Sequence, residues 1–223
     1  MNKSRLNFIS LLIISIMFSA CASMNKTQKG AAVGTASGGA MGAIIGKASG
    51  NTAMGAIIGA AVGGTTGAII GNNMDKQAEE IQRKVPDANV QRVGEGIVVE
   101  FSSNVLFGFD ESQLTSSSKS SLDQLVTVLN EYSDTNIEVQ GHTDSRGSTE
   151  YNQSLSVERA TSVADYLSTH RIMSNRISIK GFGETAPKYN NNSNSGRDQN
   201  RRVEFLITAN EKMKAEAEKQ SGK

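Results

Sequence analysis

The spacing of apolar residues divides this chain into segments of different kinds, and only its C-terminal half has the pattern of a packed domain. From Gly94 onward, short stretches that alternate apolar and polar residues predict four β-strands. They are residues 96–101, 137–141, 177–181 and 203–207. Between them, apolar residues recur every three or four positions, which predicts helices over about 115–132 and 150–170. Helices inserted between strands, with a returning edge strand, predict an α+β sandwich of order β-α-β-α-β-β within residues 94–210.

Two charged segments flank this region. Asp75 to Lys84 has the composition of a charged helix, and Pro86 closes it because proline cannot continue a helix. We assign residues 75–93 to this linker helix. Residues 211–223 are rich in Lys and Glu, and we expect them to form a charged, solvated tail.

Residues 30–74 carry glycine at every fourth position in two series. The members are Gly30, Gly34, Gly38, Gly42, Gly46 and Gly50, then Gly55, Gly59, Gly63, Gly67 and Gly71. So much glycine disfavours a helix in water, but in a bilayer small residues at this spacing let two helices approach closely. The uncharged stretches on either side of Lys47 predict a membrane-associated helical hairpin, a glycine zipper that allows homo-oligomers. The alternative is a flexible Gly/Ala linker.

The first twenty residues have the pattern of an export signal. Lys3 and Arg5 provide a positive start, and the apolar run from Phe8 to Phe18 is too short to be a stable membrane span. We assign residues 1–20 to a signal peptide that is removed from the mature protein.

The cysteine that follows the signal resembles the acceptor of a bacterial lipobox. Ser19 and Ala20 are the small residues before Cys21, although Phe18 stands where the lipobox prefers leucine. The resemblance implies acyl chains on Cys21, a lipidated linker over 21–29, and sorting to the outer membrane because no Asp follows the cysteine. The alternative is an ordinary signal peptide with an incidental cysteine.

Charge and composition exclude several classes of function. The 23 Lys and Arg against 22 Asp and Glu give a net charge of +1, which argues against a nucleic-acid partner. One cysteine rules out a Cys-rich metal site, and two distant histidines, His142 and His170, leave little for a zinc centre. No nucleophile motif accompanies the serines, so we expect neither catalysis nor a cofactor.

Linked motifs in the C-terminal half resemble those of OmpA-like domains over residues 95–208. They are Phe107-Gly108-Phe109-Asp110, then Gly141-His142-Thr143-Asp144-Ser145-Arg146-Gly147 with Tyr151-Asn152, Leu155-Ser156 and Arg159-Ala160, and finally Gly181-Phe182-Gly183-Glu184 and Asn200-Arg201-Arg202-Val203-Glu204. The resemblance implies non-covalent binding of the peptidoglycan stem peptide, often through meso-diaminopimelate. It also implies that the domain lies in the periplasm and that Tyr is tolerated at the position of His142, which we expect to line or pack the groove wall.

Diaminopimelate presents an ammonium and a carboxylate on one stereocentre, so its site needs a fixed anion and a fork-shaped cation. By resemblance, Asp144 holds the ammonium and Arg159 holds the carboxylate, while Asn152 offers both a donor and an acceptor. The other matching positions are Thr143, Phe109 and Asp110, which line the groove, and Arg202, which we expect to brace Asp110 or Asp144. Without the motif, Asp144 and Arg159 would be an ordinary surface ion pair.

Three classes of function follow from these expectations. The first is a non-catalytic tether with the lipid and zipper in the membrane and the C-terminal domain on the cell wall. The second is a stator-like or envelope-assembly partner that uses the same domain, although a stator needs a protonatable carboxylate in its span and residues 30–74 have none. The third is a wall hydrolase, which would need catalytic carboxylates or zinc. The sequence favours the tether.

Overall fold

The computed structural model describes residues 64–108 and 110–222. The predicted signal peptide, Cys21 and residues 30–63 of the predicted zipper lie outside the described residues, as does Phe109. None of the helices within the described ranges is both long and apolar enough to cross a bilayer.

The described chain forms five strands and six helices. The strands are β1 (Asn89–Val93), β2 (Gly96–Ser102), β3 (Thr135–His142), β4 (Ile177–Gly181) and β5 (Arg202–Ala209). The helices are α1 (Gly64–Lys84), α2 (Ser103–Leu106), α3 (Ser116–Glu131), α4 (Thr149–Thr169), α5 (Asn194–Asn200) and α6 (Glu211–Gln220). A short 3-10 turn, Ser174–Arg176, precedes β4.

The strands make one sheet in the order β1-β2-β5-β3-β4. Strands β3 and β4 are parallel because α4 crosses between them, and every other neighbouring pair is antiparallel. The predicted α+β class, the four predicted strands and the two long helices are confirmed. The register places Ser102, Arg202 and His142 side by side, so these residues mark one end of the sheet.

One hydrophobic core lies between the sheet and helices α1, α3 and α4. The apolar stripes found in the sequence face it, with Leu122, Leu125 and Leu129 of α3 fully buried. Helices α3 and α4 begin where side chains satisfy free backbone N–H groups: Thr115 Oγ1 accepts from Ser118 N at 3.1 Å, and Ser148 Oγ accepts from Tyr151 N at 3.2 Å.

The assigned domain start at Gly94 is wrong, because the core already includes α1. This helix begins inside the segment assigned to the zipper and buries Ile70, Met74 and Ile81 against the sheet. After it, residues 89–93, assigned to the linker helix, form β1 and pair with β2. The packed domain therefore includes α1 and β1, which precede Gly94 in the chain.

The C-terminal segment is a packed helix rather than a solvated tail. Asn210 caps α6 by accepting from Met213 N at 3.0 Å, and the helix buries Met213 and Ala217 against α1. Its end meets the beginning of α1, where Thr66 Oγ1 and Ser221 Oγ are 2.9 Å apart. The two flanking segments therefore complete the domain together.

Candidate functional site

A groove of about 280 Å³ opens at the end of the sheet where β3 finishes. It is bounded by the loop after β3, the first half of α4 and the loop before α3. Its lining includes Asp110, Thr143, Asp144, Arg146, Tyr151, Asn152, Arg159 and Arg201. Five of the seven predicted peptidoglycan-binding residues are among these. The full lining runs from Asn104 to Arg201, so the structure brings together residues that are up to 97 positions apart in the chain.

Glycines in the motif allow α4 to approach the sheet closely enough to build this groove. A Cβ on Gly141 would lie 2.0 Å from the carbonyl oxygen of Ser156, and one on Gly181 would lie 2.4 Å from Val157 Cγ2. Any side chain at Gly141 would therefore push the helix away from β3. Gly147 turns the chain into α4 with a φ of 101°, which glycine adopts without strain.

Arg159 provides a cation at the floor of the groove. It is only 3% exposed, and its guanidinium lies 5.3 Å from the centroid of the Phe107 ring. Nε donates to the carbonyl oxygen of Glu111 at 3.0 Å, but Nη1 is buried and meets no acceptor among the described residues. Burial lowers the pKa of Arg159, although a guanidinium still keeps its charge. A buried cation with an unused donor favours an anionic ligand.

Asp144 provides an anion, but its carboxylate already accepts hydrogen bonds from other residues of the protein. Its carboxylate accepts from Arg146 Nη2 at 3.1 Å, from Arg201 Nη1 at 2.5 Å and from the backbone N–H of Arg146 at 2.8 Å. Burial opposes ionisation, yet the hydrogen bonds from Arg146 and Arg201 lower the pKa of Asp144. The carboxylate is therefore charged at neutral pH and fixed in orientation.

Thr143, Asn152 and Asp110 complete the predicted lining. The Oγ1 atom of Thr143 is buried and has no partner within the described part of the chain. Asn152 donates from Nδ2 to Glu184 at 2.6 Å, which orients its amide. Asp110 accepts from the Tyr151 hydroxyl at 2.7 Å, and this hydrogen bond, followed by burial, raises the pKa of Tyr151.

The expected role of Arg202 is wrong. Arg202 does not reach Asp110 or Asp144; it is buried beside the sheet, where Nε donates to Glu204 Oε1 at 2.7 Å and Nη1 donates to the carbonyl oxygen of Asn200 at 3.1 Å. The neighbouring Arg201 braces Asp144 instead. Phe109 lies outside the described residues.

His142 packs beneath the groove and does not line it. Its ring is fully buried and stacks on Phe182, with centroids 5.0 Å apart and planes 3° apart. Burial, followed by the positive charges of Arg202 and Lys188, lowers the pKa of His142 well below its ordinary value. His142 is therefore neutral at physiological pH.

Sequence reasoning missed Arg146, Arg201 and Tyr151 as groove residues. All three stand inside the quoted motifs, but the motif did not assign them a role. Since Arg201 and Arg202 are adjacent and identical in type, only the start of β5 at Arg202 decides which side chain faces the groove.

Two family models match the chain in separate parts. One, described as the OmpA family, matches residues 106–201, which include every described groove residue named above. The other, described as a YMGG-like Gly-zipper, matches residues 1–75. The two matches correspond to the two halves that the sequence pattern separates.

Individual proteins resemble the chain over part of its length. The probable lipoprotein YiaD of Escherichia coli is 34% identical over 62% of this chain and 64% of its own length. The outer-membrane lipoprotein YfiB of Pseudomonas aeruginosa is 34% identical over 52% of this chain and 68% of its own. The solved structure of the cell wall anchor of the T6SS from P. aeruginosa superposes with a TM-score of 0.54 at 27% identity, covering 61% of this chain and 96% of that one. The first three curated relatives are matched over 16%, 64% and 34% of their own lengths.

Proposed function

The chain belongs to the OmpA family and carries a glycine zipper ahead of its OmpA domain, and on this basis we propose that it is a non-catalytic tether between the outer membrane and the cell wall. Its groove binds the peptidoglycan stem peptide non-covalently through diaminopimelate. The protein is located at the outer membrane, with the OmpA domain in the periplasm. The observation that carries the proposal is the buried Arg159, whose Nη1 donor meets no acceptor among the described residues.

The charges of the groove suit a ligand that carries both signs at one carbon atom. Arg159 offers a fork-shaped cation without a carboxylate partner among the described residues, which matches the two oxygens of a carboxylate. Asp144 offers a fixed anion in the same groove for the ammonium group. The buried hydroxyl of Thr143 can donate to or accept from the backbone of the peptide.

The position of the groove also suits a tether. The groove lies at the end of the sheet marked by His142 and Arg202, whereas α1 begins at the other end. There, Arg92 beside the β1–β2 turn hydrogen-bonds Asp75 and the carbonyl oxygen of Gly71. Strands of seven or eight residues separate the two ends by about 25 Å. The described chain therefore begins on the side of the domain that faces away from the groove.

The membrane half of the proposal rests on the sequence. Acyl chains on Cys21 would each contribute about 0.8 kcal/mol per buried methylene, so several chains hold a protein on a bilayer without a transmembrane span. The part of the glycine zipper ahead of α1, residues 30–63, would add membrane contact and allow homo-oligomers. Mass spectrometry of the mature N-terminus tests the anchor, and an unmodified Cys21 would contradict it.

Co-sedimentation with purified peptidoglycan tests the proposed binding to the cell wall. The full-length protein in detergent micelles is expected to pellet with intact sacculi and to be released by free diaminopimelate. Free lysine is the matched control, because it has the same ammonium groups and one carboxylate fewer, so it should release much less. Failure to pellet, or equal release by lysine, would contradict the proposal. Soluble wall fragments in the supernatant would instead indicate a hydrolase.

A further inference from the structure

Arg159 and Asp144, the two charged side chains proposed to hold the ligand, differ in how many charged partners they already have in the free protein. Arg159 has no carboxylate partner within the described residues, whereas Asp144 is held by two arginines. A ligand carboxylate therefore displaces no carboxylate of the described residues at Arg159. A ligand ammonium can approach Asp144 only if one of the two arginines gives up its place.

The two arginines at Asp144 are not equally free to move. The Arg146 side chain is 61% exposed, and the only hydrogen bonds its guanidinium forms with described residues go to Asp144. Arg201 is more buried and is also bonded to Asp198 at the end of α5. Moving Arg146 into solvent breaks one partly exposed ion pair, while moving Arg201 breaks two ion pairs.

The orientation of Asp144 does not depend on the side chain of Arg146. The backbone N–H of Arg146 donates to Asp144 Oδ1 at 2.8 Å, and Arg201 holds Oδ2. Both contacts persist when the Arg146 side chain leaves. The carboxylate then stays in place and gains room for another cation.

We propose that the Arg146 side chain is a built-in competitor for the ligand's ammonium group, which occupies Asp144 in the free groove and is displaced on binding. This inference rests on the proposed binding of diaminopimelate. Its consequence is a weaker and more readily exchanged contact with the wall than the groove could make without Arg146. In the free protein, the same side chain keeps the charge of Asp144 covered against other cations.

Calorimetric titration of the full-length protein in micelles tests the competition with two compounds. Diaminopimelate has the ammonium groups, and pimelate has the same carboxylates without them. Arg146→Ala is expected to bind diaminopimelate about threefold to fivefold more tightly, the range that an exposed ion pair supports. The same variant should bind pimelate more weakly, because the groove loses a positive charge and the ligand offers no ammonium to replace it.

Arg83→Ala is the matched control. Arg83 is also an exposed arginine bonded to a carboxylate, 74% exposed and 3.3 Å from Glu80, but it lies on α1. This variant should bind both compounds as the wild type does. Weaker or unchanged binding of diaminopimelate by Arg146→Ala would overturn the competitor role. A wild-type protein that binds neither compound would overturn the proposed function, and this inference with it.

Discussion

Two buried arginines at opposite ends of β3, Arg176 and Arg159, differ in how far the surrounding fold uses their hydrogen-bond donors. At the start of β3, Arg176 is 5% exposed and donates to the carbonyl oxygens of Thr135, Leu129 and Tyr132 and to the hydroxyl of Thr135. Beyond the end of β3, Arg159 is 3% exposed and makes one hydrogen bond with the described residues. Burial lowers the pKa of both residues.

The difference lies in how many donors the protein itself uses. Arg176 satisfies carbonyl groups at the end of α3 and in the turn before β3, which would otherwise be buried without partners. Arg159 also loses the hydration of its charge on burial, but it makes only one hydrogen bond with the described residues to offset that loss. A buried charge that the fold does not use is typical of a binding site, whereas a fully used one is typical of the scaffold.

The largest expected effect concerns the scaffold arginine. Arg176→Met should lower the free energy of unfolding by about 3 kcal/mol, because it leaves several buried carbonyl groups without donors. Urea denaturation of the full-length protein measures this loss. Arg83→Met, at an exposed arginine of α1, should change it by less than about 0.5 kcal/mol. Equal losses in the two variants would remove the contrast between the two ends of β3.

A smaller effect concerns the buried histidine beneath the groove. The pKa of His142 is lowered in the folded state, so its contribution to stability is present above pH 6.5 and is lost as the pH falls. Between pH 6.5 and 5, the free energy of unfolding should decrease by up to about 1.4 kcal/mol per pH unit.

His142→Tyr should remove this slope, since a tyrosine side chain does not titrate between pH 5 and 6.5. The substitution also serves as a control for the site, because His142 does not line the groove and ligand affinity should persist. A slope that is unchanged in the variant would mean that another group titrates.

Thr143→Val tests whether the ligand uses the unpartnered hydroxyl of the groove. The variant keeps the shape of the side chain and removes an Oγ1 that has no partner among the described residues, so the stability of the fold should not fall. Affinity for a stem peptide should fall by about threefold to tenfold, as expected for one neutral hydrogen bond. Calorimetric titration measures it, and unchanged affinity would exclude the hydroxyl from the contact.

The smallest expected effect is on stability at the groove arginine. Arg159→Met loses one hydrogen bond and the contact with the Phe107 ring, but it also removes a buried charge. We expect the free energy of unfolding to change by less than about 1 kcal/mol in urea denaturation. A loss as large as that of Arg176→Met would show that Arg159 belongs to the scaffold.

The sequence predicted the strands and helices that have clear periodicity, and it missed those without it. The segment Asn89–Val93 has too few apolar residues to show an alternation, and it becomes β1 only because β2 offers a free edge. Helix α6 is mostly Lys and Glu, and it packs through Met213 and Ala217 alone. Tertiary contacts determine that β1 and α6 form, and the local sequence pattern contains no signal for such contacts.

The motif also predicted which residues meet in the groove, but it did not predict how the charges pair. Asp144 and Arg159 lie in one groove as expected, yet the partners of Asp144 are Arg146 and Arg201. Whether Arg201 or Arg202 reaches Asp144 depends on the residue at which β5 begins, because successive side chains of a strand point to opposite faces. Arg201 faces the groove, whereas Arg202, one residue later, forms the buried ion pair with Glu204.

The most direct test of the account is calorimetric titration of the full-length protein with a diaminopimelate stem peptide, with the wild type compared with Arg159→Lys, Arg159→Ala and Asp144→Asn. Lysine keeps the charge and loses the two-pronged geometry, so Arg159→Lys should bind nearly as poorly as Arg159→Ala. Asp144→Asn loses the charge that compensates the ammonium. Each variant should lose about 2–5 kcal/mol of binding free energy, well over tenfold in affinity, while circular dichroism stays unchanged. Wild-type affinity in Arg159→Lys and Asp144→Asn would show that the ligand binds elsewhere.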